Sequence, residues 1–443
     1  MEKHEYVKPS GLALIPFLVF AVFYVGLSLY AGRCGFEMPW YKVPMPIAFL
    51  VASATAFLFG RRPLAEKVDA YARGMGETNI MIMCLVFILA GGFATVAKGS
   101  GAVDAAVAIA QAVIPAKLMV AGLFLVSCLI STAIGTSCGT IAAVTPIALG
   151  FAGPLGLQPV LLMGAVIGGA MFGDNLSMIS DTTIAATRTQ NVGMRDKFFA
   201  NAAIAIPGAA AALVVYALNG SGVAEVSAPA VGWREAVLVV PYLYVLVAAL
   251  AGINVMAVLF SGTLLSAVVG GLLGRLDFFG ALDLVGKGTL GMSETLIVAL
   301  LAGGLFRLVQ ENGGVAWLVE RISALVRGPR TCEAGVALLV GAVNCFTANN
   351  TVAIVIAGPI AKECSDRFHA VPVRIASVLD TVSCIVQGLI PYGAQILIAI
   401  GVAKGLDVSV ESFALLTHLY YQPILALMVV LSVLLKRRPA HQL

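Results

Sequence analysis

The sequence predicts an all-α polytopic membrane protein built from two inverted-topology repeats, with broken helices or re-entrant hairpins and about 10–12 membrane spans. Three observations predict this fold: scarce charge, long uncharged runs and an internal repeat. Charged residues make up 11% of the 443-residue chain, hydrophobic residues make up 60%, and the mean hydropathy is +0.98. Soluble domains average about 25% charged residues. So few charges cannot cover a water-facing surface, and we expect lipid as the main solvent.

This composition excludes soluble dehydrogenases, nucleic-acid binders and secreted disulfide scaffolds. The eight cysteines are scattered without a C-x-x-C pair, so neither a disulfide framework nor a zinc site is expected. Walker, Rossmann and nucleophile-elbow motifs are absent and the four histidines are dispersed. We therefore expect no enzyme activity, no cofactor and no nucleic-acid partner. The lipid bilayer is the expected environment, and a homodimer is a possible assembly.

Uncharged runs mark the spans in order, since a crossing helix needs about 20 apolar residues. The run 118–173 has room for two to three crossings. We place the first repeat at 1–225 and the second at 226–443, within one integral membrane domain. The runs are 9–32, 43–60, 79–97, 118–173, 198–224, 236–274, 295–306, 334–361, 381–403 and 412–435.

Arginine and lysine set the expected orientation. Three loops and the C-terminus carry basic residues, and all four fall on one side if both termini are cytoplasmic. This predicts a multi-pass protein of the cell (plasma or inner) membrane. The basic residues are Arg61, Arg62, Lys67 and Arg73 in 61–78, Arg188, Arg195 and Lys197 in 188–197, Arg321, Arg327 and Arg330 in 321–330, and Lys436, Arg437 and Arg438.

The two halves of the sequence resemble each other. Segment 131–148 matches 344–361, and FGDNLS (172–177) matches VLDTVS (378–383), which aligns Asp174 with Asp380. GMGET (74–78) likewise matches GMSET (291–295). The expected orientation makes the two halves inverted. Inverted repeats with helices interrupted at matching places are typical of secondary transporters.

Two polar segments interrupt apolar helices, GTSCGT (135–140) and TANNT (347–351). Irregular backbone is tolerated at membrane depth only where protein or a water-filled cavity surrounds it. Hydroxyl, amide and backbone oxygens suit Na⁺, and a half-helix N-terminus suits a substrate carboxylate. Small-residue helix packing is the structural alternative. The candidate cavity residues here are Thr136, Ser137, Asn349, Asn350 and Thr351.

The segment FGDNLSMISDTT (172–183) carries two carboxylates, Asp174 and Asp181. Seven residues are about two turns of helix, so both are expected on one face. An intramembrane carboxylate usually faces a cavity and a cation or proton. One carboxylate can then bind Na⁺ or H⁺ in turn, and we expect both aspartates to be Na⁺ ligands. Helix capping by Asp181, or an ion pair of Asp181 with Arg188 seven residues on, is the alternative. Asn175, Ser177 and Thr182 accompany them.

A third segment, 374–395, carries Asp380, with Ser383 and Gln387 following at helical spacing. Pro391 is expected to break this helix. A polar contact between helices is the alternative, but the repeat alignment with Asp174 favours a role for Asp380 in ion binding or proton exchange. Ser383 and Gln387 are then candidate cavity residues.

These residues resemble the NhaC-type sodium/proton antiporter family of the ion transporter superfamily, through GTSCGT, FGDNLSMISDTT and the later LDT and IPYGA stretches. The likeness covers most of the chain. The ANNT stretch also resembles the hairpin tips of sodium/dicarboxylate carriers in that superfamily. The resemblance implies inverted repeats with re-entrant hairpins that meet at mid-membrane. It implies a cation site at Asp174, Ser177, Asp181 and Thr182.

The sequence departs from the family pattern beside that site. Asn175 stands where members often have lysine, Ile179 stands where they often have proline, and the usual P-W-N-x-x-G-A pattern is shortened at Pro391–Ala394. Two transporter hypotheses stay open. One is a Na⁺/H⁺ antiporter, which uses membrane-embedded aspartates. The other is a Na⁺- or H⁺-coupled carrier of a small organic acid or amino acid. A membrane enzyme and a passive channel agree less well with dispersed histidines and paired helix breaks.

Overall fold

The structure is a computed structural model, and it describes residues 8–36, 39, 42–60, 62–220 and 231–435. Within these ranges the chain is helical and no strand occurs. Short 3-10 helices at Gly11–Leu14 and Ala116–Leu118 lead into longer helices. The helices of the first half are α1 (Ile15–Arg33), α2 (Met45–Leu58), α3 (Leu64–Met75), α4 (Thr78–Gly99), α5 (Ala102–Val113), α6 (Met119–Ile134), α7 (Ser137–Gly150), α8 (Ala152–Leu155), α9 (Pro159–Leu176), α10 (Asp181–Gln190) and α11 (Met194–Gly220).

The second half continues the same pattern of long helices joined by short breaks. Its helices are α12 (Trp233–Leu238), α13 (Val240–Leu250), α14 (Val255–Leu272), α15 (Phe278–Gly291), α16 (Ser293–Glu311), α17 (Gly314–Ser323), α18 (Pro329–Thr347), α19 (Asn350–Phe368), α20 (Pro372–Leu389), α21 (Ala394–Gly405), α22 (Ser412–Leu416) and α23 (Tyr421–Leu435).

Nine helical segments of the described chain are long and apolar enough to cross a membrane. Four shorter apolar helices accompany them, at Met45–Leu58, Ala102–Val113, Ser137–Gly150 and Tyr421–Leu434. The prediction of an all-helical, multi-pass chain is therefore confirmed. The nine segments are Gly11–Arg33, Thr78–Gly99, Ala116–Ile134, Pro159–Gln190, Met194–Gly220, Trp233–Leu250, Val255–Leu272, Phe278–Glu311 and Pro372–Gly405.

The helix breaks that the sequence predicts are present. The first polar break lies between α6 and α7, where Gly135 has φ +76° and Thr136 is extended. The second lies between α18 and α19, where Ala348 has φ +48° and Asn349 is extended. In each case one left-handed residue reverses the chain and the next begins a new helix. Pro391 lies in the break between α20 and α21.

Helices of one half pack against helices of the other. α3 contacts α16 while α15 contacts α4, and α10 contacts α19 while α21 contacts α7. The α4–α15 contact is close, because a Cβ built on Gly288 would lie 2.1 Å from the carbonyl oxygen of Gly91. Small residues permit such close approach between apolar helices. Several helices of the first half are therefore in direct contact with helices of the second half.

Some predictions concern residues that lie outside the described ranges. Arg61 and the basic C-terminal group Lys436, Arg437 and Arg438 are among them, as is the proposed repeat boundary at 225. The inversion of the two halves and the cytoplasmic position of the termini therefore stay predictions.

Candidate functional site

Asp174 lies in the last turn of α9 and is only 5% exposed. Its Oδ2 accepts a hydrogen bond from Ser137 Oγ at 2.8 Å, and its Oδ1 accepts one from Ser180 Oγ at 2.5 Å. Ser137 begins α7 and Ser180 is the N-cap residue of α10. One buried carboxylate therefore joins the break between α6 and α7, here called the first hairpin tip, to the interruption between α9 and α10. The break between α18 and α19 is called the second hairpin tip.

The first hairpin tip fits tightly against that interruption. A Cβ built on Gly135 would lie 2.7 Å from Ile179 Cγ1 and 3.1 Å from the Ser180 nitrogen. Only glycine combines this close approach with the left-handed φ of +76° at low cost. The tip thereby delivers Ser137 to Asp174.

A chain of amide side chains links Asp174 to the second hairpin tip. Gln395 Nε2 donates to Ser137 Oγ at 3.0 Å, and Gln387 Nε2 donates to Gln395 Oε1 at 2.9 Å. Gln387 Nε2 also donates to the carbonyl oxygen of Ala348, at 2.8 Å. The sequence prediction did not include Gln395. Its signal in the sequence was a second amide after Gln387 in the uncharged run 381–403, four residues after Pro391.

A cavity of about 440 Å³ opens between the two hairpin tips and the first turns of α4, α10 and α14. It is flanked by both aspartates of the predicted cation site, Asp174 and Asp181. Asn79, Asn254 and Gln395 also reach it and were not among the predicted residues. The predicted residues that line the cavity are Thr136, Ser137, Asp174, Asp181, Thr182, Asn349, Asn350, Thr351 and Gln387.

The expectation that Asp174 and Asp181 share one helical face is wrong. α9 ends at Leu176 and α10 begins at Asp181, so the chain between them does not follow helical spacing. Asp181 is exposed at the cavity whereas Asp174 is buried. Ser177 is buried beside the interruption, and its Oγ accepts from the backbone of Ile179 at 3.3 Å. Thr182 Oγ1 shares a hydrogen bond of 2.9 Å with Ser180 Oγ.

Asp380 forms an ion pair with Lys197, and both side chains are buried. The expectation that Lys197 is a loop charge is wrong, because α11 begins at Met194 and turns Lys197 into the protein interior. Lys197 Nζ also donates to the carbonyl oxygen of Asn175 at 2.9 Å and to Thr183 Oγ1 at 2.6 Å. An ammonium group has three donors. All three have partners here, which compensates for the burial of the charge.

Further polar groups surround this ion pair. Asn201 Nδ2 donates to Asp380 Oδ2 at 3.0 Å and to Asn175 Oδ1 at 2.6 Å. Ser383 lies one turn after Asp380 on α20, and its Oγ donates to the Asp380 carbonyl oxygen. The carbonyl of Ser383 accepts from Asn344 Nδ2 at 2.7 Å. Two predicted cavity residues, Asn175 and Ser383, are not among the residues that line the cavity, and neither is Asp380.

The positions of residues along α9 and α20 bear on the alignment of Asp174 with Asp380. α9 and α20 both begin with proline and both end before a short break. Asp174 lies two residues before the end of α9 at Leu176, and Gln387 lies two residues before the end of α20 at Leu389. Gln387 therefore has the same position relative to the end of its helix as Asp174 has. The sequence alignment pairs Asp174 with Asp380 instead, which lies seven residues, or about two turns, before Gln387. Residues seven apart lie on the same helix face, so the two alignments look alike in the sequence.

The model of the Na⁺/H⁺ antiporter family matches residues 14–220 and 223–433. The chain belongs to the Na⁺/H⁺ antiporter family. It is 25% identical to the Na⁺/H⁺ antiporter NhaC of Bacillus subtilis (strain 168) over 424 residues, which cover 87% of this chain and 91% of that protein. The NhaC-type resemblance is confirmed. An antiporter family implies a secondary transporter and not an enzyme.

Two further matches are weaker, one covering a shorter stretch of sequence and one found by structure. The malate-2H⁺/Na⁺-lactate antiporter of the same Bacillus strain is 26% identical over 181 residues, or 40% of this chain and 38% of that protein. The crystallised YdaH transporter of Alcanivorax borkumensis is 13% identical, with a TM-score of 0.40 over 96% of this chain and 98% of that one.

Proposed function

We propose that this member of the Na⁺/H⁺ antiporter family exchanges Na⁺ for H⁺, and that Asp174 binds the two cations in turn. One observation carries the proposal. Asp174 is a buried carboxylate at the meeting point of a hairpin tip and a helix interruption, with a serine hydroxyl on each carboxylate oxygen. It also lines the polar cavity between the two hairpin tips. Intramembrane carboxylates in such places commonly bind a cation or proton.

The surrounding groups suit a small hard cation. Na⁺ prefers oxygen ligands, and a serine hydroxyl can rotate its hydrogen away and present a lone pair. Ser137, Ser180 and Thr182 offer such oxygens within one hydrogen-bonded group around Asp174. A proton on the carboxylate neutralises the charge that holds Na⁺. Binding of one cation therefore opposes binding of the other, which is the simplest basis for exchange.

Asp181 contributes differently in this proposal. It is exposed at the cavity, where a carboxylate raises the local concentration of cations and increases their rate of arrival. We retain it as an outer Na⁺ ligand, with Asp174 as the inner one. Alternating access would come from movement of one half against the other around the hairpin tips, as in other transporters with paired broken helices.

Transport by purified protein in dye-loaded liposomes tests the exchange. An inward Na⁺ gradient without any organic solute should drive protons outward, and collapse of the Na⁺ gradient with an ionophore should abolish the signal. A protein that moves no protons with Na⁺ alone would contradict exchange of the bare ions.

Coupled transport of a small carboxylate or amino acid is the second candidate. The cavity of about 440 Å³ exceeds the needs of a bare ion, and the amides of Asn349, Asn350 and Gln395 line it. These groups could hold a substrate while Asp174 holds the coupling ion. The same liposomes should then stay silent with Na⁺ alone and respond when a dicarboxylate, monocarboxylate or amino acid is added.

A further inference from the structure

The buried charges at and near Asp174 are two carboxylates and one ammonium group. The buried charged side chains in the described part of the chain are Lys67, Asp174, Lys197 and Asp380. Lys67 lies elsewhere and donates to the carbonyl oxygens of Phe57 and Gly60. Lys197 is 1% exposed and Asp380 is fully buried, and they pair with each other. Their charges cancel, which leaves Asp174 as the buried carboxylate without a basic partner among the described residues.

We infer that Lys197 is a positioning residue for the Asp174 site and the permanent counter-ion of Asp380, so that the pair itself carries no transported cation. This inference rests on the proposal that Asp174 binds Na⁺. Burial explains why the pair is not a second cation site. Removal of either partner leaves an uncompensated charge in the interior, which is strongly unfavourable, and Asp380 is not among the residues that line the cavity.

The contacts of Lys197 show how it positions Asp174. Its ammonium donates to the carbonyl oxygen of Asn175, in the last turn of α9, where carbonyls lack partners within the helix. It also donates to Thr183 Oγ1 in the first turn of α10. Thr183 Oγ1 in turn donates to the carbonyl oxygen of Ser177, at 2.7 Å. One side chain from α11 therefore holds both ends of the interruption.

This arrangement matters because Ser180 lies inside that interruption. Its hydroxyl reaches Asp174 Oδ1 only while the four non-helical residues from 177 to 180 keep their course between α9 and α10. Loss of the link from Lys197 through Thr183 to Ser177 frees that segment. The oxygen of Ser180 is then positioned less well, and Na⁺ should bind more weakly.

A single threonine substitution tests the positioning role without burying a charge. Thr183→Val keeps the shape and removes the hydroxyl of the link. Thr187→Val is the matched control on α10, because Thr187 Oγ1 donates only within its own helix, to the carbonyl oxygens of Thr183 and Ile184. Equilibrium binding of ²²Na⁺ to purified protein should weaken roughly three- to tenfold for Thr183→Val. The control should stay within about twofold of the parent protein.

A charge-neutral double variant tests the counter-ion role. Lys197→Met/Asp380→Asn removes both charges, and a protein that elutes as one species in detergent should still bind Na⁺, with the weakened affinity of Thr183→Val. In liposomes, the membrane potential at which net ²²Na⁺ flux reverses reports the charge moved per Na⁺. This potential should be the same in the double variant and the parent protein, since the pair moves no cation.

Several results would overturn the inference. These are equal Na⁺ affinity in the two threonine variants, a changed reversal potential in the double variant, or a folded double variant without Na⁺ binding. If the double variant does not fold, the threonine comparison alone decides. A parent protein that binds Na⁺ but moves no protons would contradict the proposed exchange and leave the inference standing, because binding is measured without transport.

Discussion

Replacement of Asp174 by asparagine should abolish Na⁺ binding, while the same change at Asp181 should have a small effect. Both substitutions remove one negative charge and keep the side-chain shape, so each is the control of the other. The structure decides the difference, because Asp174 is buried among hydroxyls whereas Asp181 is exposed at the cavity.

The expected change in Na⁺ affinity follows from the surroundings of each carboxylate. Two unit charges about 4 Å apart attract by about 4 kcal/mol at an effective dielectric constant of about 20, and by about 1 kcal/mol in water. These energies correspond to about a thousandfold and about a fivefold change in affinity. Asp174→Asn should therefore raise the half-saturating Na⁺ concentration about a thousandfold, which removes exchange at usable concentrations. Asp181→Asn should raise it about fivefold.

The assay is Na⁺-driven proton movement in dye-loaded liposomes, with Na⁺ titrated at a fixed pH for the parent protein and both variants. Elution from a sizing column in detergent checks that each variant is folded. Two results would refute the reasoning. One is a folded Asp174→Asn protein whose half-saturating Na⁺ concentration stays within about tenfold of the parent. The other is an equal loss in both variants.

Other substitutions test the site and the fold. Ser180→Ala removes a donor to the buried carboxylate and should weaken Na⁺ binding by about 1.5 kcal/mol, or about tenfold; Ser127→Ala, at a buried hydroxyl on α6, should leave binding unchanged. Gly135→Ala should destabilise the protein by at least about 1 kcal/mol, because φ is +76° there, and a lower thermal midpoint in detergent would show it. Glu333→Gln weakens the two hydrogen bonds from Arg374, at 2.6 and 2.7 Å, and should lower that midpoint through a loss of about 2 kcal/mol without changing the half-saturating Na⁺ concentration.

Much of the fold could be predicted because the bilayer imposes simple rules on composition. Backbone groups in lipid must find partners within the chain, so uncharged runs have to be helices. The same rule makes the polar interruptions at 135–140 and 347–351 conspicuous, and both are breaks between helices in the structure. Asp174 was conspicuous because a charge stood at the end of a long uncharged run.

The spacing of residues in the sequence led to a wrong prediction where the chain leaves the helix. Asp174 and Asp181 have helical spacing in the sequence, but four residues between α9 and α10 are not helical. The alignment of Asp174 with Asp380 does not match the ends of the two helices, for a related reason. A shift of seven residues preserves a helix face, so only the ends of α9 and α20 show that Gln387 lies as far from its helix end as Asp174 does.

The sequence by itself determined that this protein is helical, lies in a membrane and has polar breaks at matching places, because each of these follows from local composition. Only the tertiary structure decided which charges meet. In the sequence, Lys197 is one of several basic residues in a predicted loop. In the structure, α11 brings its ammonium group to Asp380, Asn175 and Thr183. The physical reason is that a buried charge is stable only with partners, and these partners come from three other helices, of which α20 is distant along the chain.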